Sequence, residues 1–308
     1  MIAKGADGDR AICPRLRPDG MESNPILFWK HFRTDDPREL ALRTVEFYRD
    51  HRLAAAKIMP DIPILFEDFA LSSWSQVANL RHFGPIRTVG RAAEYIRTVE
   101  LTRAELTGQD LILVTIFSPL ALVGLWCGPE GVREMARASR TAAHAVLWAL
   151  GGVVSELAAA CVQAGADGIY YSCWGQDLLS ADEYREFGIP YDLAGLRGAE
   201  AAEVRILHVH GALNEGAGRY ATYPVQVVGW SEVESRVSLV EGALALPGKL
   251  VMGGISETQA APVGPEERSH MAQLREELGS RLVVAPGCSL PDDVSNATLA
   301  SLRTLTDR

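Results

Sequence analysis

Residues 205–211 read Arg-Ile-Leu-His-Val-His-Gly, a short apolar run that ends in two histidines and a glycine. Similar runs, rich in β-branched and other apolar residues, recur along the chain and alternate with longer segments of helical pattern. Such continuous apolar runs are typical of parallel strands that are covered on both faces. Eight runs are predicted to be strands, at residues 26–30, 54–59, 111–117, 168–173, 205–209, 225–229, 249–252 and 281–285.

Helical patterns fill the gaps between these strands. Asp36-Pro37 opens the first helix, because proline is favoured in the first helical turn, and Ser180-x-x-Glu183 reads as a capping box. Eight strands that alternate with helices predict an α/β protein, a (β/α)8 TIM-type barrel in a single domain, with a doubly wound open sheet as the rival. The predicted helices cover residues 37–52, 92–106, 130–164, 181–196, 239–246, 266–278 and 293–305.

Length and composition fit one such domain. The chain has 308 residues and a mass of 33.4 kDa, within the usual size of a barrel with additions. Apolar residues make up 47% and charged residues 22% of the chain, which excludes wholesale disorder and fibrous architectures. We expect residues 24–308 to form the barrel, and residues 1–23, a polar stretch punctuated by glycine and proline, to form an arm that need not be ordered.

Charge, hydropathy and cysteine usage exclude several classes of function. The formal net charge is −9, and an acidic chain is a poor binder of nucleic acid because phosphate contacts need a basic face. No stretch approaches the roughly 20 apolar residues that span a bilayer, and the N-terminus has no apolar signal region, so no membrane association is expected. The five cysteines are scattered and odd in number, which favours a reducing, cytoplasmic location over a disulfide framework.

A barrel places its chemistry at the carboxyl ends of the strands, and a possible metal site lies there. His208 and His210 point to the same side of an extended segment, and Cys288 follows the eighth predicted strand. Two nitrogens, one sulfur and an open fourth position form a pattern typical of catalytic zinc. On spacing alone, two histidines bonded to loop carbonyls and an inert buried cysteine are the more common arrangement.

Carboxylate and basic candidates follow the first two predicted strands. Asp61 is a candidate to orient a substrate amine or to move a proton, although a turn or helix cap is an equal alternative. Lys57 lies inside the strand, where it needs a partner such as Asp61, Glu67 or Asp68, or an anionic substrate.

The remaining candidates are basic and aromatic residues at strand ends. Lys30, His31 and Arg33 form a small basic cluster suited to a carboxylate or phosphate, with a solvated loop start as the alternative. Cys173, Trp174 and Trp230 are predicted to line the substrate pocket, although Trp174 fits the core equally well.

Taken in order, eight short pieces of the chain resemble the uroporphyrinogen decarboxylase superfamily. The resemblance extends from about Asn24 to the C-terminus, and the family fold is a (β/α)8 barrel. The superfamily includes the decarboxylase and zinc-dependent methyltransferases that work with methylated corrinoids. The pieces are Phe28-Trp29-Lys30-His31-Phe32, Lys57-Ile58-Met59, Phe117-Ser118-Pro119, Gly165-Ala166-Asp167-Gly168, Ser172-Cys173-Trp174-Gly175, Leu207-His208-Val209-His210-Gly211, Gly253-Gly254-Ile255 and Ala285-Pro286-Gly287-Cys288.

The resemblance points to the methyltransferase branch rather than to the decarboxylase itself. The decarboxylase opens with an arginine-rich signature, and here only Lys30 and Arg33 carry charge in that stretch. Its essential aspartate matches Asp61, but its late histidine is missing. The methyltransferases bind zinc through His-x-Cys and a distant cysteine. His208 and Cys288 match two of these ligands, and His210 replaces the middle cysteine.

These observations predict a zinc-dependent methyltransferase that activates a thiol or hydroxyl of a small-molecule substrate. Asp61 and His31 are then the catalytic candidates, and Lys30, Arg33 and Lys57 bind an anionic group. No Asp-x-His-x-x-Gly motif is present, so a corrinoid would have to arrive on a partner protein or as a free ligand. The alternatives are a metal-free decarboxylase or lyase and a non-catalytic barrel that binds a corrinoid or tetrapyrrole. Pairing into a homodimer is expected by analogy with the family.

Overall fold

A computed structural model of the chain describes residues 13, 14, 16, 23–64 and 72–306. Most of the predicted arm, residues 1–23, therefore lies outside the described residues. Cys13 and Leu16 are only 2% and 1% exposed, and they pack against strand residues at the amino ends of the sheet, such as Val204 and Leu250. This part of the arm belongs to the core of the domain.

The centre of the molecule is a curled parallel sheet of seven strands in sequential order. This order confirms the α/β class and a TIM-like architecture, and each strand pairs only with its neighbours along the chain. All seven strands were predicted, within a few residues. The strands are β1 (Ala56–Ile58), β2 (Ile112–Phe117), β3 (Gly168–Cys173), β4 (Val204–Val209), β5 (Val227–Trp230), β6 (Leu250–Ile255) and β7 (Leu282–Pro286).

The first predicted strand, residues 26–30, is not a strand in the structure. Ile26 makes a single parallel bridge to Val284 of β7, and its carbonyl accepts a hydrogen bond from the Ala54 N–H at 2.9 Å. Pro25 has no N–H to donate to a ladder. Beyond Leu27 the backbone turns to a loop, where Leu290 N–H donates to Trp29 O at 2.9 Å. The segment lies between β7 and the residues before β1 without extending the regular sheet.

Helices pack on the outer face of the sheet. The predicted single helix 130–164 is interrupted at Ala138–Ser139. Its first part corresponds to the second half of α4 (Pro119–Arg137), a helix that is capped by Ser118 and kinks at Gly128, where φ is 68°. The capping box at Ser180 is confirmed. The helices are α1 (Pro37–His51), α2 (Trp74–Val77), α3 (Ala92–Glu105), α4 (Pro119–Arg137), α5 (Arg140–Gln163), α6 (Ala181–Phe187), α7 (Ile189–Leu196), α8 (Glu232–Ser235), α9 (Leu239–Leu244), α10 (Pro265–Leu278) and α11 (Asn296–Arg303), with 3-10 turns at Ile86–Thr88, Arg197–Ala199, Ala217–Tyr220, Gly279–Arg281 and Thr304–Thr306.

Helix α5 is long and apolar enough to cross a membrane by length and composition. The expectation that no segment has this character is therefore wrong for α5. In the structure 56% of its most apolar window is buried inside the fold, and the helix packs on α7 and α4. A core helix passes the same test, so the pattern alone does not indicate a membrane span.

Strand residues alternate between two hydrophobic clusters, and this alternation determines which side chains reach the site. Tyr170, Ile206 and Met252 belong to the inner cluster, inside the curl of the sheet. Their neighbours Tyr171 and Leu207 belong to the outer cluster under the helices. A prediction that misplaces the alternating pattern of a strand by one residue therefore assigns each side chain to the wrong face of the sheet.

Candidate active site

Three predicted metal ligands meet at the carboxyl ends of β4 and β7. His208 is an inward residue of β4 that lies opposite Ser172 and Gly229 in the neighbouring strands. His210 follows two residues later, and the two imidazole centroids are 5.8 Å apart. Cys288, just after β7, interacts with both histidines. His208 is buried, whereas the His210 side chain is 39% exposed, so the cluster opens toward solvent on one side.

The histidines convert Cys288 into an acidic thiol. Burial by itself would raise its pKa, but the interactions with His208 and His210 outweigh burial and lower the pKa to about 5. Cys288 and Glu234 in turn raise the pKa of His210 to about 10. The cluster therefore holds a thiolate beside a protonated imidazole at neutral pH. A thiolate is both the nucleophilic and the metal-binding form of cysteine.

Glu234 is a member of this cluster that sequence reasoning missed. Its Oε1 lies 3.0 Å from His210 Nδ1, close enough for an ion pair although not aligned for a hydrogen bond. The interaction with His210 lowers the pKa of Glu234. Carboxylates that contact a histidine commonly fix the orientation of its ring. The signal was available in principle, because Glu234 follows the end of β5, but it stands within the helical turn α8.

The donor chemistry of the cluster fits zinc, although the donors do not form a ready-made site. Within residues 13–14, 16, 23–64 and 72–306, no group of three His, Cys, Asp or Glu side chains is arranged to hold a metal ion. Nε2 of His208 is nevertheless buried without a hydrogen-bond partner. Such an orphaned nitrogen beside a thiolate is suited to a cation that binds two nitrogens and a sulfur. Binding would require the Cys288–histidine contacts to rearrange around the ion.

Asp61 and His31 form a directly bonded pair. Oδ1 of Asp61 contacts His31 Nδ1, and Oδ2 accepts a hydrogen bond from the Phe32 N–H at 2.7 Å. The Asp61 side chain is only 3% exposed, while that of His31 is 30% exposed. A buried carboxylate that holds one nitrogen of an imidazole presents the other nitrogen for proton transfer. The structure therefore brings together the two residues that were predicted to be catalytic.

Lys57 lies inside the curl of the sheet, enclosed by two aromatic rings. Its Nζ is 4.1 Å from the centroid of Tyr170 and 4.6 Å from that of Trp29, and it donates to Thr115 Oγ1 at 2.9 Å. Burial lowers the pKa of Lys57 to about 7, partly offset by the charges of Cys288 and Asp61. Glu67 and Asp68, two predicted partners, lie outside the described residues. Tyr170 and Trp29 were missed because aromatic residues in a strand pattern read as core.

Lys30 and Arg33 already have a protein partner in the structure. Lys30 Nζ donates to the Asp292 backbone oxygen at 2.8 Å, and Arg33 Nε lies 2.5 Å from Asp292 Oδ2. Together with His31, which pairs with Asp61, these residues were predicted to bind an anionic group. In the structure the two cations connect the loop after β7 to the segment that carries His31, and anion binding by them stays a prediction.

Three residues that were predicted to line the substrate pocket do not face the interior of the sheet. They are Cys173, Trp174 and Trp230. Cys173 and Trp230 occupy outward positions of β3 and β5 in the outer cluster, and Trp230 Nε1 donates to Val237 O at 2.9 Å. Trp174 packs closely on Gly124 of α4. For Cys173 and Trp230 the predictions failed because the sequence does not show which alternate residues of a strand face inward. Trp174 shares the parity of the inward residue Tyr170 but follows the end of β3.

The outward side of Cys173 faces a buried polar network around Asp192. The hydroxyls of Tyr184 and Tyr223 donate to Asp192 Oδ2 at 2.6 and 2.8 Å. Asp192 is 0% exposed, and burial raises its pKa to about 6 against the effect of these hydrogen bonds. Ser118, which caps α4, also contacts this carboxylate. The network connects the ends of β2 and β3 to α6, α7 and the segment before β5.

The pH dependence of alkylation should identify Cys288 in metal-free protein. We expect iodoacetamide to modify Cys288 at a rate that is nearly constant from about pH 6 to pH 8, because the thiol is already ionised. Cys127 is the internal control, since burial raises its pKa to about 11 and its labelling should rise steeply in alkali. Peptide mass spectrometry would follow both sites. A Cys288 rate that climbs through pH 8 like an ordinary thiol would contradict the assigned environment.

Gly287 controls where Cys288 stands. A Cβ at this position would lie 2.5 Å from Ser231 Cβ and 2.6 Å from Ser231 Cα, so the loop would have to move. Gly287→Ala should therefore weaken the contacts of Cys288 with the histidines and raise its alkylation midpoint by about one pH unit or more. Gly152→Ala is the matched control, because nothing lies within 4 Å of its added methyl group. Equal midpoints for the two variants would refute this role of Gly287.

Comparisons with known proteins bear on the family and the fold. The model of the protein family described as "Uroporphyrinogen decarboxylase (URO-D)" matches residues 37–308 of the chain. No curated protein matches the chain. Among solved structures, a methyltransferase from Methanosarcina mazei is similar with a TM-score of 0.81 at 15% identity, covering 96% of this chain and 97% of that chain.

Two methionine synthases are more distant in structure. A B12-independent methionine synthase from Shewanella sp. W3-18-1, in complex with selenomethionine, has a TM-score of 0.62 at 12% identity over 87% of this chain and 85% of that chain. A putative vitamin-B12 independent methionine synthase from Listeria monocytogenes has a TM-score of 0.58 at 14% identity over 87% and 84%. At these identities the likeness extends to the fold.

Proposed function

Because the chain belongs to the uroporphyrinogen decarboxylase family, we propose that it is a zinc-dependent enzyme that transfers a methyl group to a thiol or hydroxyl. The observation that carries this proposal is the cluster of His208, His210 and the acidic thiol of Cys288 at the carboxyl ends of β4 and β7. The similarity in fold to a methyltransferase and to methionine synthases supports the same branch of the family.

His208, His210 and Cys288 would hold the zinc. When bound, zinc would lower the pKa of an incoming thiol or hydroxyl and so supply a strong nucleophile near neutral pH. Two features of the site would favour zinc binding by these residues. Cys288 is acidic enough to be a thiolate without the metal, and Glu234 already contacts the His210 ring. Neutral imidazole is the ligating form, so metal binding would release the proton that His210 holds.

The other residues handle the proton and the charge of the substrate. His31, oriented by Asp61, would accept the proton that the substrate thiol or hydroxyl loses. Lys57, enclosed by Trp29 and Tyr170, would face an anionic part of the substrate deeper inside the sheet. The direct neighbours of the Lys57 amine are aromatic and neutral polar groups, so its charged form is poorly solvated and would be favoured by an anionic group of the substrate, in addition to the charges of Cys288 and Asp61.

The methyl donor is proposed to be a methylated corrinoid carried by a partner protein or a small methyl donor. The basis is the resemblance to the methyltransferases of the superfamily that work with methylated corrinoids. Because the sequence has no Asp-x-His-x-x-Gly motif, a corrinoid would have to arrive on a partner protein or as a free ligand. The cytoplasmic location, homodimer formation and lack of nucleic-acid binding stay predictions.

A second function is favoured by the His31–Asp61 pair and Lys57. A carboxylate-oriented histidine beside a buried amine is also suited to a metal-free decarboxylase or lyase. In that reaction Lys57 would hold a substrate carboxylate, and His31 would donate a proton to the carbanion left by loss of CO2. Cys288 would then have no chemical role, which separates the two functions experimentally.

Elemental analysis of the purified protein is the decisive experiment. We expect about one zinc per chain, lost in His208→Ala, His210→Ala and Cys288→Ala while circular dichroism shows an intact fold. The zinc-loaded protein should then form a methyl thioether from methylcobalamin and a member of a panel of thiols. A metal-free protein after growth and purification with added zinc would rule the proposal out. Turnover of a carboxylated compound in the presence of a chelator would establish the lyase instead.

A further inference from the structure

A shallow, open groove lies outside the sheet, between helices α5 and α7 and the segment that follows α2. It has a volume of about 510 Å³ and is lined by Arg81, His82, His144, Ala145, Trp148 and Tyr191. This volume is within the range of ordinary small-molecule sites. The groove shares no residue with the candidate active site, so an inference drawn from it is independent of the proposed methyl transfer.

Trp148 is the unusual member of this groove. Its side chain is 69% exposed, whereas four of the other tryptophans, Trp29, Trp74, Trp126 and Trp230, are at most 7% exposed. An exposed indole in a concavity offers a flat apolar face for a second ring. Isolated exposed apolar residues are common, so Trp148 alone would indicate nothing.

The floor of the groove is fixed by a chain of hydrogen bonds. Tyr191 OH and His144 Nδ1 are 2.6 Å apart, and His144 Nε2 lies 3.1 Å from Glu186 Oε1. Glu186 also contacts Arg140, and Tyr191 is buried. The imidazole is therefore held between a hydroxyl and a carboxylate, and the ring stays in place without a ligand.

The charge of the groove is opposite to that of the whole chain. Among its lining residues Arg81 carries a positive charge and none carries a carboxylate, while the formal net charge of the protein is −9. The nearby carboxylate, Glu186, is engaged by His144 and Arg140. Local positive charge beside an exposed indole selects a ligand that has both a flat ring and a negative group.

We propose that this groove binds a small aromatic carboxylate. The ring would stack on Trp148, and the carboxylate would pair with the guanidinium of Arg81 and the imidazole of His82. Guanidinium–carboxylate pairs are among the strongest hydrogen-bonded contacts in proteins, and the indole supplies the apolar half of the recognition.

Calorimetric titration with 2-naphthoate and its neutral analogue 2-naphthamide tests the proposal. We expect the wild-type protein to bind 2-naphthoate at one site and more tightly than the amide. Trp148→Ala should weaken binding by about tenfold. Arg81→Gln should weaken 2-naphthoate and leave 2-naphthamide unchanged. Leu244→Ala, which removes another exposed apolar side chain (64% exposed), is the matched control and should change neither affinity.

Three outcomes would overturn the proposal. One is the lack of saturable 2-naphthoate binding by the wild-type protein, and another is equal affinity of the wild type for the acid and the amide. The third is binding that survives Trp148→Ala but is lost in Lys57→Met, because that result would place the carboxylate inside the sheet. Since each variant lies on the surface except Lys57→Met, misfolding does not confuse the central comparison.

Discussion

Cys288→Ala should lose the proposed zinc and reduce the proposed methyl transfer on the order of a thousandfold or more. The variant removes the only sulfur of the proposed ligand set and the thiolate that the two histidines stabilise. Methyl transfer from methylcobalamin to a thiol, measured at equal protein concentration, gives the size of the loss. Zinc content of the same samples shows whether the metal is lost with the activity.

The control for this experiment is Cys127→Ser. Cys127 is half-buried on α4, and burial raises its pKa to about 11, so it should be chemically silent. It should keep full zinc and full activity. Full activity in Cys288→Ala would show that the thiolate has no part in the chemistry and would leave the His31–Asp61 pair as the centre of the reaction.

Asp192→Ala should destabilise the fold by about 3 kcal/mol, since the hydroxyls of Tyr184 and Tyr223 would be left buried without an acceptor. For a domain of this size a loss of that order lowers the melting temperature by roughly 5 °C. Asp192→Asn is the informative partner, because its amide oxygen can still accept both hydroxyls. Thermal melting of the two variants against the wild type provides the comparison.

Asp192 should also make the stability of the fold depend on pH. Burial raises the pKa of Asp192 from 3.8 to about 6, so the folded protein favours the protonated form. Protonated Asp192 contributes its full stabilisation at a pH below 3.8, the pKa of this carboxyl in the unfolded chain. This contribution is lost as the pH rises through about 6, the pKa in the folded protein. The wild type should therefore lose stability relative to Asp192→Asn between about pH 4 and pH 7, by roughly 1.4 kcal/mol for each unit of the shift. Parallel stability curves would mean that Asp192 is not protonated in the fold.

The candidate metal-binding residues could be predicted from the sequence because they continue the alternating pattern of a strand or directly follow a strand. His208 and His210 share a parity with the inward residue Ile206, and a parallel sheet brings Cys288 to the same edge. The same reasoning failed for Cys173 and Trp230 because an error of one residue exchanges the inner and outer faces. The apolar pattern of the sequence therefore predicted where the strands end. Which side chains face the site depends on which alternate residues of each strand point inward.

Contacts between residues far apart in the chain were the least predictable part of the site. Lys30 and Arg33 looked like an anion-binding cluster because nothing local reveals that Asp292 stands beside them. His31 and Asp61 were both candidates, but their pairing follows from the path of residues 26–33 along the sheet. Glu234 and Tyr170 were missed since a carboxylate in a helical turn and an aromatic residue in a strand usually have structural roles.

Cys13 and Leu16 have a consequence for how substrates would move. They cover the ends of the strands opposite to the candidate site, where Val204 and Leu250 begin β4 and β6. Traffic into the interior would then pass at the carboxyl ends of the strands, on the side of the candidate site. Substrate and product that share this route would meet there, so a bound product would hinder entry of the next substrate. For the proposed methyl transfer, steady-state kinetics should accordingly show product inhibition that is competitive with the methyl acceptor.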